Sequence, residues 1–438
     1  MTRLLTAAAL TVTALWLAGC DSGRQDPPNV SVVAIHADPT VGQATFTRVR
    51  ANATPLDYKQ SQSFSFDVDT YTFNFDISAP DGTIANTVST VHTLEEGNSY
   101  TILLVNSQGN SSITVVDTPA RSGSGTQLQL LHAAATVGTV DVYVGLTGFD
   151  VLAATPWGTV SNGDVLAPKL FDAGEYEFAV TEAGNPSNVL LRSAPTAFGG
   201  SENVFLFVAD TNGESLAPFT LSLGQGPGSD FVDVNIESGI RVLNAIGDRS
   251  TIDAGIDLEL APPLLPAIPF GTVTDPGIVS PGDHTLTITP AGNPGVIEVD
   301  EAFALTRGAL GTALISGDPG SVSALFVNDD FRTLAGEGKL RVFDASPLNG
   351  SVDVFILPPG TAPAAANVAF SIGNASATDN RRLLAGDYEL TIRTAGGSTV
   401  LAGPTPITIA DGGYYAILLA DPAGGGSGID VQFLYDFN

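Results

Sequence analysis

One phrase recurs four times and sets what this chain can fold into. Residues 170–185 read LFDAGEYEFAVTEAGN: a short turn, an alternating strand through Tyr176, Phe178 and Val180, and a second turn at Gly184-Asn185. The phrase returns as VSPGDHTLTITPAGN at 279–293 and LLAGDYELTIRTAGG at 383–397, with a worn copy, FDVDTYTFNFDISAPDG, at 66–82. The closing glycines Gly82, Gly184, Gly292 and Gly396 lie 102, 108 and 104 residues apart. A repeat of that length can bury roughly 60–70% of its extended-chain surface, enough for a core of its own. The chain is thus expected to hold four β modules, over 30–120, 127–236, 239–332 and 339–438.

Within each repeat, short alternating strands rich in Val, Thr, Phe and Tyr are bounded by turn residues, drawn from 48 Gly and 28 Pro. Seven or more such strands per module predict an all-β fold of tandem immunoglobulin-like β-sandwiches. Module two is the clearest copy, and module one the most divergent. Short Gly/Ser/Pro links such as RSGSGT at 121–126 predict a semi-flexible rod of modules.

The formal charge of −29 repels phosphate backbones, which argues against nucleic-acid partners. It repels anionic head groups too, so membrane attachment has to be covalent or hydrophobic. The start of the chain supplies such an attachment. Arg3 precedes an apolar run over 4–17, too short to span a bilayer comfortably, and Leu17-Ala18-Gly19-Cys20 follows. Those four residues resemble a bacterial lipobox, which implies a signal peptide over 1–19, lipidation of Cys20 and a tether over 20–29. Cys20 is the only cysteine, so no disulfide can form within the chain. The expected address is the bacterial cell envelope, with the outer membrane or cell surface preferred. Asp21 keeps the periplasmic face of the inner membrane in view.

The openings of modules two and four also resemble a known family. A strand leads to a corner, His132-Ala133-Ala134 in module two and Asp344-Ala345-Ser346-Pro347 in module four, and then to VDVYV at 140–144 or VDVFI at 352–356. With Trp157-Gly158 and the Ala-Gly-x-Tyr elements at 173–176 and 385–388, these are similar to the domain-of-unknown-function family 4397. Module three matches moderately, and module one has ATFTRV where VDVYV is expected. The resemblance implies a secreted or surface-anchored immunoglobulin-like repeat and carries no catalytic residues.

The residues themselves offer little reactive chemistry. There is no G-x-S-x-G, H-E-x-x-H or P-loop. His36, His132, Asn244 and Asp344 share one strand-end corner, and a slot that accepts His, Asn or Asp calls for a polar group bonding a turn's backbone. His284 stands where the other modules carry Tyr. Trp157, the only tryptophan after the leader, reads as a packing anchor matched by Phe270, with a sugar-stacking platform as the alternative. Asp141, Asp257 and Asp353 recur between apolar neighbours and read as a solvated face. A weak calcium site, completed by Asp172, Asp283 or Asp387, is the alternative.

The sequence therefore predicts a non-enzymatic, lipid-anchored envelope protein whose modules act as a stalk or an adhesive, protein-interaction surface. The alternative is a periplasmic or surface protein that binds a glycan or other ligand and is stabilised by calcium.

Overall fold

The computed structural model describes residues 28–48, 54–224, 230–318, 320–423 and 428–435. The leader, Cys20 and Asp21 lie outside them. The regular structure of the described chain is strand throughout, apart from one 3-10 turn at Ala365–Asn367. Among the described residues no helix is long and apolar enough to cross a membrane.

Module one shows the plan. Its strands are β1 (Asn29–Ala37), β2 (Ala44–Arg48), β3 (Pro55–Leu56), β4 (Ser61–Asp67), β5 (Thr70–Ser78), β6 (Ile84–Thr93), β7 (Asn98–Ser107) and β8 (Asn110–Pro119). One sheet runs β4-β1-β7-β8 and the other β3-β2-β5-β6. The first and seventh strands pair in parallel, Val32 beside Tyr100, and the remaining neighbours are antiparallel. The other three modules repeat both sheet orders, with small additions in modules two and four. The fold is four immunoglobulin-like sandwiches in tandem, each around its own core.

The modules do not form a flexible rod. In Thr126–His132 and Glu337–Ala345, the counterparts of β1, every residue is buried. Alternate side chains face the module's own core, and those between them face the neighbouring module. Ile35, Leu103 and Val105 of module one thus meet Leu131, Phe205 and Phe207 of module two in a single apolar cluster. Leu243 and Leu314 of module three meet Phe343, Ala416 and Leu418 of module four in another. Burial on both faces also explains the near-continuous apolar runs in the parallel partners of those two strands, VFLFVA at 204–209 and YAILLA at 415–420, and it couples the modules in pairs.

The two pairs are built alike. Tyr58 of module one donates its hydroxyl to the Asp210 carbonyl of module two, and Lys59 reaches Glu214 at 2.9 Å and Asp230 at 2.8 Å. Arg249 of module three donates to the equivalent carbonyl of module four, Asp421, at 2.9 Å, and pairs with Asp430 at 2.6 Å. The pairs also meet each other. Arg332 donates to the carbonyls of Pro39 and Val41, and Arg382 donates to that of Ser78. A scarce supply of cations is thus spent largely at module junctions.

Two readings of register need correcting. Strand Ile252–Ile256 aligns with Val140–Leu146 through the pairings Ile252–Pro290 and Val140–Glu182. The counterpart of Asp141 is therefore Asp253, four residues before Asp257. Phe270, likewise, is not the counterpart of Trp157. The next residue, Gly271, donates to the Asn244 carbonyl as Gly163 does to that of His132. That places Phe270 level with Asn162 and Tyr58, on the loop facing the neighbouring module.

Candidate functional site

The strand-end corner is structural in all four modules. His36, His132, Asn244 and Asp344 are all fully buried. His36 and His132 turn Nε2 to the carbonyls of Gly42 and Gly138, each six residues on, and Asn244 donates to that of Ser250. The acceptor atoms of His36, Asn244 and Asp344 take the backbone N–H two residues on, from Asp38, Ile246 and Ser346. Burial lowers the pKa of both histidines, that of His36 to about 4, so each is a neutral ring that donates from Nε2. Asp344 fits less well. Burial pushes it up to about 7, with Asp421 adding to the effect, and its Oδ2 has no hydrogen-bond partner among the described residues.

The recurrent aspartates clip a hairpin turn. Asp141 takes the N–H of Gly184 at 2.7 Å on one oxygen and the Thr159 hydroxyl on the other. Asp353 does the same with Gly396 and Ser371, and Asp253 with the N–H groups of Gly292 and Ala267. Each glycine has φ between 65° and 74°, so its N–H points along a path that a side chain must meet. Asp141 and Asp353 are buried, in contrast to the solvated face expected of them. Among the described residues no group of three or more His, Cys, Asp or Glu side chains is placed to hold a metal.

Trp157 is half-buried against the module-two core, edge-on to Phe171 at 6.1 Å; Phe171 in turn meets Tyr176 at 5.7 Å. The three rings close one end of the sandwich, and Lys169 lies over Phe171. Module one closes the same end with Phe66 and Tyr71, capped by the Arg48 guanidinium at 4.6 and 5.2 Å. In module four Arg381, the counterpart of Lys169, lies over Phe370.

Module three leaves that end open. Val279 replaces Phe171, His284 replaces Tyr176 and Gly277 replaces Lys169, as the strand pairings show. The result is a cleft of about 440 Å³ lined by Ile256, Pro263, Leu264, Ile278 and Val279, with Asp257, Glu259, Ser280 and His284 as its polar groups. Sequence reasoning passed over it. The available signal was the loss of both aromatic residues and the cation from one copy of the repeat.

Within the cleft His284 Nδ1 lies 2.8 Å from Asp257, and Nε2 lies 3.4 Å from the Ser280 hydroxyl. The order Asp-His-Ser invites comparison with a hydrolytic triad, but the hydrogen bonding differs. His284 Nε2 is closer, at 2.8 Å, to the Ser280 carbonyl four residues back. Tyr71 and Tyr388 donate to the same carbonyl position, of Asp67 and Leu384. Nε2 therefore carries a proton for that bond and is not free to accept one from serine. With both ring nitrogens donating, Asp257 first and the Ser280 carbonyl second hold the imidazole pKa above its ordinary value, against the effect of burial.

Fold and sites together define a protein of tandem immunoglobulin-like sandwiches with structural polar clips. Residues 238–355, which take in module three and the first two strands of module four, match the family model of a domain of unknown function (DUF4397), and that stretch is similar to the family. No curated protein matches the chain. Among solved structures, a pilus adhesin, SpaC, from Lactobacillus rhamnosus GG is 12% identical with a TM-score of 0.12, covering 93% of this chain and 43% of the adhesin. Its open conformation gives 11%, 0.10 and the same coverages. The chain spans less than half of that adhesin, and likeness at this level bears on neither mechanism nor ligand.

Proposed function

We propose that this is a non-enzymatic, lipid-anchored protein of the bacterial cell envelope that presents a stiff block of sandwiches as an adhesive or protein-interaction surface. The observation that carries the reading is the pairwise packing of modules through doubly buried sheets. Packing of that kind consumes the apolar faces internally and turns edges and loops outward, as a display scaffold requires. The recurrent polar residues support it further, because their bonds hold turns and corners. The lipobox-like Leu17-Ala18-Gly19-Cys20 supplies the attachment.

Metabolic labelling with an alkyne fatty acid, followed by protease treatment of intact cells, tests both halves. Label incorporation that Cys20→Ala abolishes, with the modules cleaved from outside, is the expected result. An unlabelled wild-type protein would remove the anchor. Labelled protein that withstands the protease until the outer membrane is broken would remove display at the cell surface.

A further inference from the structure

We propose that the open end of module three binds a small organic monocation, an apolar or aromatic body carrying one ammonium group. The other three modules supply the template. Each carries a cation of its own chain over an aromatic ring: Arg48 on Phe66 and Tyr71, Lys169 on Phe171, and Arg381 on Phe370. Module three has Gly277 where two of these cations originate and Ile256 level with the third, Arg48. It therefore lacks both the charge and the ring that fill this end elsewhere.

The vacated volume has the character of a small-molecule site. About 440 Å³ falls in the range of ligand clefts, and the walls are apolar with a few polar groups at one side. Leu264 and Ile278 remain exposed there. The charge is complementary to a cation. Asp257 is engaged by His284 and by the Thr285 N–H, whereas the Glu259 carboxylate takes no hydrogen bond among the described residues. An ammonium group meeting Glu259, with its apolar body against Ile256, Leu264 and Val279, reproduces from outside what Trp157 and Lys169 achieve from within.

The test is a titration of the full chain, followed by ligand-observed NMR, with phenethylamine as probe, 2-phenylethanol as its neutral isostere and 3-phenylpropionate as the anion. Saturable binding of phenethylamine is expected, with the anion bound at least about tenfold more weakly. Glu259→Gln, an exposed change, is expected to weaken the amine about fivefold and to leave the alcohol unchanged. Gly277→Lys introduces the cation that modules two and four carry; its Cβ would come within 2.7 Å of Leu264 Cδ2, 3.0 Å of Leu264 Cγ and 3.2 Å of Leu265 Cδ2, so both leucine side chains must shift to admit it. It is expected to abolish amine binding in a chain that still folds, and Val279→Phe combined with His284→Tyr, which refills the cleft with the rings of module two, is expected to do the same. Equal binding of amine and anion would overturn the proposal. So would amine binding that survives Gly277→Lys in the folded protein, or no saturable binding of any probe.

Discussion

Asp141 and Gly184 stand 43 residues apart in the chain and are joined by one hydrogen bond of 2.7 Å, from the glycine N–H to the buried carboxylate. Asp353 and Gly396 repeat the pair at the same separation, and Asp253 and Gly292 at 39 residues. The turn glycine that betrays the repeat in sequence is thus held by an aspartate on a neighbouring strand. Removing the acid leaves a turn N–H without its partner, at a cost of about 1–3 kcal/mol. Asp141→Ala and Asp353→Ala are expected to lower stability by that much in urea unfolding, and Asp253→Ala by the lower end of it. Asp257→Ala should cost less than about 1 kcal/mol, being an exposed pair. If Asp257→Ala proves more damaging than Asp253→Ala, the register is wrong.

Asp344 gives the fold a pH dependence. Its folded pKa of about 7 lies above the ordinary carboxyl value. Between about pH 4 and 7 the unfolded chain has released a proton that the folded chain keeps, so stability falls as pH rises through that window and levels off above it. The loss is on the order of 2–4 kcal/mol. Asp344→Asn places here the residue type that module three uses at Asn244, with an amide N–H to donate forward. Unfolding midpoints at pH 5 and pH 8 should differ less for the variant than for the natural protein. An unchanged difference would clear Asp344 of the effect.

The paired faces predict cooperative unfolding. Phe207 is fully buried between modules one and two. Phe207→Asp puts a charge into that interface and should cost about 3–5 kcal/mol or more. Calorimetry is expected to show modules one and two melting together in the natural protein and separately in the variant. Separate melting in both would mean that the contact couples nothing.

His284 should titrate above its ordinary value, with Asp257 as the leading cause. The pair's contribution is present once Asp257 is ionised and is lost as pH rises through the raised imidazole pKa. NMR titration of the His284 ring is expected to show a midpoint above about 6.5, and Asp257→Asn to bring it down. A midpoint at or below the ordinary value in the natural protein would mean that the bond does not form in solution.

Calcium is not needed to satisfy the recurrent aspartates, since both oxygens of Asp141 and of Asp353 accept protein hydrogen bonds. A chelator is expected to leave the melting temperature within about 1 °C; a drop of several degrees, on the order of 1 kcal/mol or more, would mean that an ion bridges the modules.

Much of this was legible in the residues. Turn glycines and alternating strands announced sandwiches and their number, because positive φ and a two-residue period leave direct marks on sequence. The interchangeable His, Asn and Asp of the corner announced a backbone-bonding slot. The aspartate register misled, because Asp253 and Asp257 differ by four residues and share a face on any period-two reading. Small residues at Ala254 and Gly255 hid the true strand beside the more familiar IDLEL. The match of PFGTV to PWGTV misled in another way, since it aligned a loop with a strand. The module pairing had a signal that was not used: runs such as VFLFVA at 204–209 and YAILLA at 415–420 never alternate, and an apolar strand without alternation has two dry faces.

The unit whose apolar sheet faces are closed is therefore the couple. Excising any single repeat would strand a greasy sheet in water, opposite nothing that matches it, and inserting one would do the same. Length in such a protein can change safely only by even numbers.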